Sequence, residues 1–202
     1  PAWAQPKAFV QNVGQITDPA LQHRKDIDFK VSQQKGLQVY VGNGSLHYQW
    51  IEATAPTDST TLYDAYRLDM QLIGANPNAT ISYGKKEATY ERYFLSWVNT
   101  DNSNEGKVAH YYQSVVYHNI YPKIDWKLYF TEDGKIEYDF IVHPGGKVSD
   151  IQLVYNGADS LNIDQHGRLN IYTPEGQLVE SAPYSYEQKS KRPIASHFQL
   201  LG

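Results

Sequence analysis

Two runs of alternating apolar residues, joined by a short turn, restrict the fold of this chain more than any other part of its 202 residues. Their apolar positions are Ile124, Trp126, Leu128 and Phe130, then Ile136, Tyr138, Phe140 and Val142. A period of two places these side chains on one face of each strand and the intervening side chains on the other. The stretch is therefore predicted to be a β-hairpin with one buried face.

The loop Glu132-Asp133-Gly134 decides the register of this central hairpin. A two-residue Asp-Gly turn would pair Phe130 with Glu137 and put the two apolar sets on opposite faces. A three-residue loop, with glycine in the left-handed conformation at its last position, pairs Phe130 with Ile136 and keeps one face apolar. We therefore predict the second register. Its further pairs are Leu128 with Tyr138, Trp126 with Phe140, and Lys127 with Asp139.

Other turn signals predict further hairpins between neighbouring segments. Asn43-Gly44 favours a two-residue turn, and loops at 165–167 and 174–176 each end in glycine at the third position. The pairs expected across these turns are Val41 with Leu46, Leu161 with Ile171, and Ile171 with Val179. Such local connections predict an all-β fold, an antiparallel meander of hairpins forming a β-sandwich or two packed sheets.

Three segments outside the hairpins have a less regular pattern. Residues 53–61 are rich in Thr, Ala, Pro, Asp and Ser, which predicts an exposed loop. In residues 87–98 the aromatic side chains recur at helical spacing, which predicts at most one short helix or an irregular aromatic segment. Near the end of the chain, Tyr184, Tyr186, Phe198 and Leu200 predict two more strands.

Composition excludes several classes of function. A net charge of −4 gives no basic face for nucleic acid, and no apolar run approaches the roughly 18 residues of a membrane span. The absence of cysteine removes disulfides, thiol catalysis and thiolate metal sites. No phosphate-binding or dinucleotide-binding motif is present, and no cofactor is predicted.

Domain boundaries are predicted from local composition. Residues 1–8 are expected to be a loose leader and residues 9–202 a single all-β domain, with two β subdomains divided near 99–107 as the alternative. The sequence stops immediately after its last predicted strand. We therefore expect the chain to be a piece excised from a longer protein.

Two acidic groups are candidates for chemistry. Glu137 and Asp139 share one face of a predicted strand at roughly 7 Å, near the spacing of paired carboxylates in glycosidases. A cross-strand charge pair between Asp139 and Lys127 is the simpler interpretation. Residues 101–106 resemble half of a calcium loop, but Tyr112 stands where such a loop needs a bidentate Glu. The calcium ligands in that weaker hypothesis are Asp101, Ser103 and Glu105.

Aromatic and histidine residues provide the other candidates. Exposed tyrosine and tryptophan rings can stack against sugars, and Trp97, Tyr111 and Tyr112 are the binding candidates. Because Tyr111 and Tyr112 are adjacent, one of them is expected to be exposed. The seven histidines lack the spacing of a helical zinc motif, although two on separate strands could meet in space. Nothing in the sequence points to a Ser-His-Asp triad, and no metal site is predicted.

Four segments together resemble an uncharacterised bacterial domain. They are FVQNVGQ near the start, LIGANPNA at 72–79, the stretch 117–145, and the stretch 157–188. That domain typically opens large secreted or surface proteins, before β-propeller-like (SBBP) repeats, immunoglobulin-like modules, or the C-terminal sorting segments of gliding bacteria. The resemblance implies an all-β fold and a secreted, periplasmic or cell-surface location. It implies no catalytic residue.

The resulting functional expectation is a non-enzymatic structural or adhesive module of a secreted or surface bacterial protein. Its expected partners are other domains of the same larger protein, or a glycan or surface protein. The alternative is a carbohydrate-binding module that uses exposed aromatic side chains. A glycoside hydrolase, which would use Glu137, Asp139 or Asp125, is the least favoured class.

Overall fold

A computed structural model describes residues 7–31, 36–57, 60–98 and 105–201. The predicted calcium ligands Asp101 and Ser103, and the first six residues of the predicted leader, lie outside these ranges. The chain divides into two compact units, the first ending at Val154 and the second beginning at Tyr155. The predicted alternative division, near residues 99–107, is not the boundary between these units.

Nearly all regular structure in the described residues is β-strand, as the sequence predicts. In chain order the strands are β1 (Phe9–Gln11), β2 (Phe29–Val31), β3 (Leu37–Gly42), β4 (Ser45–Thr57), β5 (Thr60–Leu72), β6 (Thr80–Tyr83), β7 (Lys86–Tyr93), β8 (Lys107–Tyr112), β9 (Ser114–Tyr121), β10 (Ile124–Phe130), β11 (Ile136–Val142), β12 (Leu153–Asn156), β13 (Ser160–Ile163), β14 (Leu169–Thr173), β15 (Gly176–Glu180), β16 (Ser185–Tyr186) and β17 (Pro193–Ile194). The described helical structure is one 3-10 turn, Val148–Asp150. Within the described ranges, no helix has the length and apolar character needed to cross a bilayer.

Two sheets make up the first unit, except that strand β12 of the larger one continues to Asn156, past the end of that unit at Val154. One has eight strands in the order β12-β5-β4-β3-β2-β1-β8-β7, and the other has four in the order β11-β10-β9-β6. The Phe9 ring of the larger sheet lies 4.8 Å from the Phe130 ring of the smaller one. The Tyr117 hydroxyl of β9 donates to the Asp28 carboxylate beside β2 at 2.9 Å. The predicted packing of two antiparallel sheets is thus confirmed.

The central hairpin adopts the predicted register. Phe130 pairs with Ile136 and Lys127 with Asp139, and Gly134 has φ +79°. Trp126 is fully buried in the core between the sheets. The early hairpin is also confirmed, because Val41 pairs with Leu46 around the left-handed residues of Asn43-Gly44. In both hairpins the requirement for one apolar face selected the loop length correctly.

The second unit contains the three-stranded sheet β13-β14-β15 and the pair β16-β17. Leu161 pairs with Ile171 as predicted, and Ile171 is fully buried. The pairing of Ile171 with Val179 is wrong, because Ile171 instead pairs with Leu178 around a two-residue turn. Gly176 joins the strand at φ +125° rather than ending a three-residue loop. This register leaves Leu178 half-buried and turns Val179 towards solvent.

Two segments that were not predicted to be strands form strands over most of their described length. Within the predicted loop at 53–61, residues 53–57 and 60–61 lie in strands β4 and β5, where Ala53 pairs with Tyr63, and residues 58–59 lie outside the described ranges. Residues 87–98, predicted to be a short helix or an irregular aromatic segment, are strand β7 up to Tyr93, with Tyr90 opposite His110, and an irregular turn after it. In both segments pairing with a neighbouring strand, which local composition does not encode, determines the backbone conformation.

The ends of the described chain also differ from expectation. Ala8 is fully buried in the core, so the predicted loose leader does not extend to this residue. The Lys7 ammonium donates to the Asp133 carbonyl at 2.7 Å. Ser185–Tyr186 forms a strand near the predicted position, but its partner is Pro193–Ile194. Residues 198–200 are not in a strand.

Candidate functional site

Strand β6 lies between two polar features of the first unit. One is a small cavity, and the other is a set of hydrogen-bonded side chains around Asp125. Alternation along this edge strand directs Ile81 and Tyr83 into a cavity and Ser82 to the opposite face. On that face the Ser82 hydroxyl lies 2.7 Å from Nε2 of His118. The two features are therefore close in sequence but have separate chemical surroundings.

A bulge between β9 and β10 creates the first feature. Tyr121 pairs with Ile124 and Tyr117 with Trp126, so Asp125 lies opposite three residues of β9. Within these three, Asn119 adopts the left-handed conformation at φ +51°. Its N–H donates to Oδ1 of Asp125 at 2.8 Å. Bulges commonly redirect a side chain in this way, and here the redirected group is a carboxylate.

Two histidines bind the other oxygen of the same carboxylate. His118 Nδ1 lies 3.1 Å, and His143 Nε2 3.0 Å, from Oδ2 of Asp125. The Asp125 side chain is only 11% exposed, whereas those of His118 and His143 are 39% and 49% exposed. Together with Ser82, these three side chains form what we call the Asp125 network.

Hydrogen bonds keep the Asp125 carboxylate ionised. Burial raises the pKa of Asp125, but the N–H of Asn119 and the imidazoles of His143 and His118 lower it further than burial raises it. The net pKa lies below the ordinary value for aspartate. The carboxylate therefore acts as a hydrogen-bond acceptor only.

The cavity on the other side of β6 is small and mixed in character. Its volume is about 240 Å³, and its lining includes Asn12, Lys25, Asp28 and Phe29 besides Tyr83. Burial raises the pKa of Asp28, an effect opposed by hydrogen bonds to its carboxylate. A ligand in this cavity would meet an aromatic ring and several polar groups.

The aromatic residues predicted to bind sugar do not share one surface role. Tyr111 is buried, at 2% exposed, and its hydroxyl donates to Glu91, so its ring is part of the core and is not available for stacking. Tyr112 is half-buried, and its ring lies 4.6 Å from the Tyr83 ring at the cavity. Trp97 is 38% exposed, in the turn after β7. Sugar binding by Trp97 or Tyr112 stays a prediction.

The predicted carboxylate pair has an ordinary strand environment. Both Glu137 and Asp139 are exposed, and the Tyr129 hydroxyl lies 3.2 Å from the first carboxylate and 3.3 Å from the second. Burial and the two nearby carboxylates raise the pKa of Tyr129. Two groups that share one tyrosine on an open face are not placed in the unlike environments that acid–base catalysis requires.

The described residues give little support to a metal site. Glu105, the one described member of the predicted calcium set, is exposed, and its carbonyl accepts a hydrogen bond from Arg92. Throughout the described parts of the chain, no group of three or more His, Asp or Glu side chains is arranged to hold a metal ion. The calcium hypothesis itself depends on Asp101 and Ser103, outside those parts.

Sequence reasoning missed the Asp125 network. It identified every histidine and noted that two on separate strands could meet, but it did not connect His118 and His143 with Asp125. Regular strand alternation gives no indication of the bulge that brings these groups together. The one available signal was the position of His118 and Asp125 on adjacent strands around a short turn.

A protein-family model matches residues 9–202 of this chain, and its description is "Domain of unknown function (DUF7948)". The chain belongs to that family. The match extends across both compact units, from the first strand to the last residue. No curated protein matches the chain, and no solved structure does. The DUF7948 assignment agrees with the predicted resemblance to an uncharacterised domain. The family description specifies no biochemical role.

Proposed function

We propose that this DUF7948 domain is a structural module of a secreted or cell-surface bacterial protein. In this role it docks against other domains of the same larger protein through the edge of its eight-stranded sheet. The secreted or surface location rests on the sequence resemblance described above. The docking role rests on the side chains of that edge.

The observation that carries the docking proposal is the exposure of large aromatics at and beyond the edge strand β7. Tyr90 is 52%, Phe94 64% and Trp97 38% exposed. These three residues define what we call the β7 aromatic edge. Aromatic side chains are enriched in protein interfaces, and an edge strand offers unpaired backbone groups to a partner. Both properties favour a protein partner at this edge.

The cavity beside β6 favours carbohydrate binding as a second candidate function. Tyr83 is 47% exposed and packs against Tyr112, so its ring is held in place beside the polar lining. Sugar recognition combines stacking on such a ring with hydrogen bonds from carboxylate and amide groups. The cavity is smaller than the roughly 300–1,000 Å³ of most ligand pockets, which places this candidate second.

A panel of glycans and chromogenic glycosides separates these functions. We expect the purified chain to retain no glycan and to hydrolyse no glycoside, with Glu137→Gln and Asp139→Asn indistinguishable from the parent. Binding that is lost in Tyr83→Ala but kept in Tyr90→Ala, a change at a similarly exposed tyrosine outside the cavity lining, would replace the structural role with the carbohydrate one. Turnover that vanishes in either carboxylate variant would establish a glycosidase.

A further inference from the structure

We propose that Ser82 is a nucleophile activated by His118, and that it accepts acyl groups from small activated esters. This activity goes beyond the proposed structural role and does not depend on it. It would correct the expectation that the domain is non-enzymatic. The site is the Asp125 network on the outward side of β6.

The geometry has the two contacts, among three side chains, that define an activated serine. The Ser82 hydroxyl lies 2.7 Å from His118 Nε2, and His118 Nδ1 lies 3.1 Å from Asp125 Oδ2. A nucleophile within hydrogen-bond reach of a base, which a third group orients, is the arrangement needed for covalent catalysis. The same arrangement occurs on unrelated folds, so an all-β scaffold is no obstacle to it.

The ionised carboxylate fixes the direction of each hydrogen bond. Because Asp125 can only accept, His118 must carry its hydrogen on Nδ1 when it is neutral. Its Nε2 then has a free lone pair, so the Ser82 hydroxyl is the donor in their contact. The proton to be removed therefore already points at the base.

Asp125 is in turn held in position by groups that do not take part in proton transfer. The N–H of Asn119 and the imidazole of His143 fix its two oxygens at 2.8 and 3.0 Å. Asp125 and His143 are thus positioning residues for His118. The hydrogen bonds from the Asn119 N–H and the His143 imidazole restrict the orientation of the Asp125 carboxylate.

The open edge of β6 can supply a donor for the oxyanion. Gly84, the residue directly after β6, donates its N–H to Ser114 at 2.8 Å, and Ser82 lies two residues before it on β6, opposite Val116. Alternation in an antiparallel ladder then turns the N–H of Tyr83 away from β9. We assign this N–H, next to the nucleophile, as the group that faces a developing oxyanion.

The chemical step is acyl transfer from an ester to serine. Ser82 Oγ forms a bond to the ester carbonyl carbon while its proton passes to His118 Nε2. The bond between that carbon and the alcohol oxygen breaks, and the leaving alkoxide takes the proton from His118. Water then attacks the Ser82 ester in the same way, which releases the carboxylic acid and restores the hydroxyl.

The position of the network defines the substrate class. Ser82 is exposed and the His118 side chain is 39% exposed, so the reacting atoms meet solvent on an open sheet face. Solvent weakens electrostatic stabilisation of an oxyanion, which favours esters with good leaving groups over amides. A small acyl group such as acetate needs no further binding surface.

A fluorophosphonate probe tests the proposal on the intact chain. The serine oxygen displaces fluoride from phosphorus, and peptide mapping by mass spectrometry identifies the modified residue. We expect an adduct on Ser82 in the parent chain, and no adduct at this position in Ser82→Ala. We expect Ser160→Ala, a change at another exposed strand serine, to label like the parent.

Variants of His118 and Asp125 distinguish an activated Ser82 hydroxyl from one that is only accessible to the probe. We expect His118→Gln to slow labelling about 100-fold or more, which is typical of the loss of a general base. We expect Asp125→Asn to slow it too, although the hydroxyl stays exposed, because an amide permits the other imidazole tautomer. Melting curves confirm that each variant is folded. An absence of adduct at Ser82 in the folded parent, or unchanged labelling in a folded His118→Gln, would overturn the proposal.

Discussion

Replacing Trp126 with alanine is expected to lower the free energy of unfolding by about 3–5 kcal/mol. Trp126 is fully buried on β10, and its ring lies 5.4 Å from Tyr117 and 6.2 Å from Tyr138. Truncation would remove these ring contacts and leave a large cavity in the core between the two sheets. Since natural domains are stable by only about 5–15 kcal/mol, such a loss threatens folding at moderate temperature.

Trp126→Phe is the matched control for this prediction. Phenylalanine keeps an aromatic ring at the site and removes the Trp126 indole N–H, which is buried without a hydrogen-bond partner among the described residues. We therefore expect Trp126→Phe to destabilise much less than Trp126→Ala. Denaturant unfolding followed by tyrosine fluorescence measures both. An alanine variant as stable as the parent would show that the ring is not a core residue.

Replacing Gly42 with alanine is expected to destabilise the first unit by about 3 kcal/mol or more. A Cβ atom at Gly42 would lie 2.1 Å from the Asp26 carbonyl oxygen and 2.7 Å from the Ile27 Cα. Both neighbours are backbone atoms, so no side-chain rotation can relieve the overlap. The segment that precedes β2 would have to move away from β3, where Asp28 donates its N–H to Val41 at 2.8 Å.

Gly74→Ala is the control for Gly42→Ala, because it introduces backbone strain without steric overlap. Gly74 has φ +70° and open space around its Cα, so alanine there meets only the cost of the left-handed conformation, about 1–2 kcal/mol. We expect the Gly42 variant to lower the melting temperature more than the Gly74 variant. A reversed order would show that β2 and β3 separate easily and that their close approach contributes little to stability.

Hairpins were predictable wherever one face had to stay apolar. The registers around Gly134 and Asn43-Gly44 follow from that requirement, because a shift by one residue exposes every large side chain. The hairpin at Gly176 was mispredicted since both Leu178 and Val179 are apolar, so the pattern does not distinguish two registers. The burial of each strand face, which only the folded chain reveals, decided between them.

Long-range pairing limited the prediction elsewhere. The aromatics from Tyr90 to Trp97 have helical spacing, yet pairing with β8 makes a strand up to Tyr93. Tyr111 was a binding candidate by composition, but its position beside β1 places it in the core. The Asp125 network was invisible for the same reason, because it depends on a bulge between strands rather than on a local motif.

Hydroxyl-radical footprinting tests the proposed docking role most directly. Oxidation of the β7 aromatic edge is compared in the larger protein and in this chain alone, with Tyr63, 65% exposed on β5, as the reference side chain. We predict that Phe94 and Trp97 are oxidised several-fold more slowly in the larger protein, while Tyr63 is unchanged, because a partner domain covers the edge. Equal oxidation of Phe94 and Trp97 in both proteins would contradict a docking surface at β7.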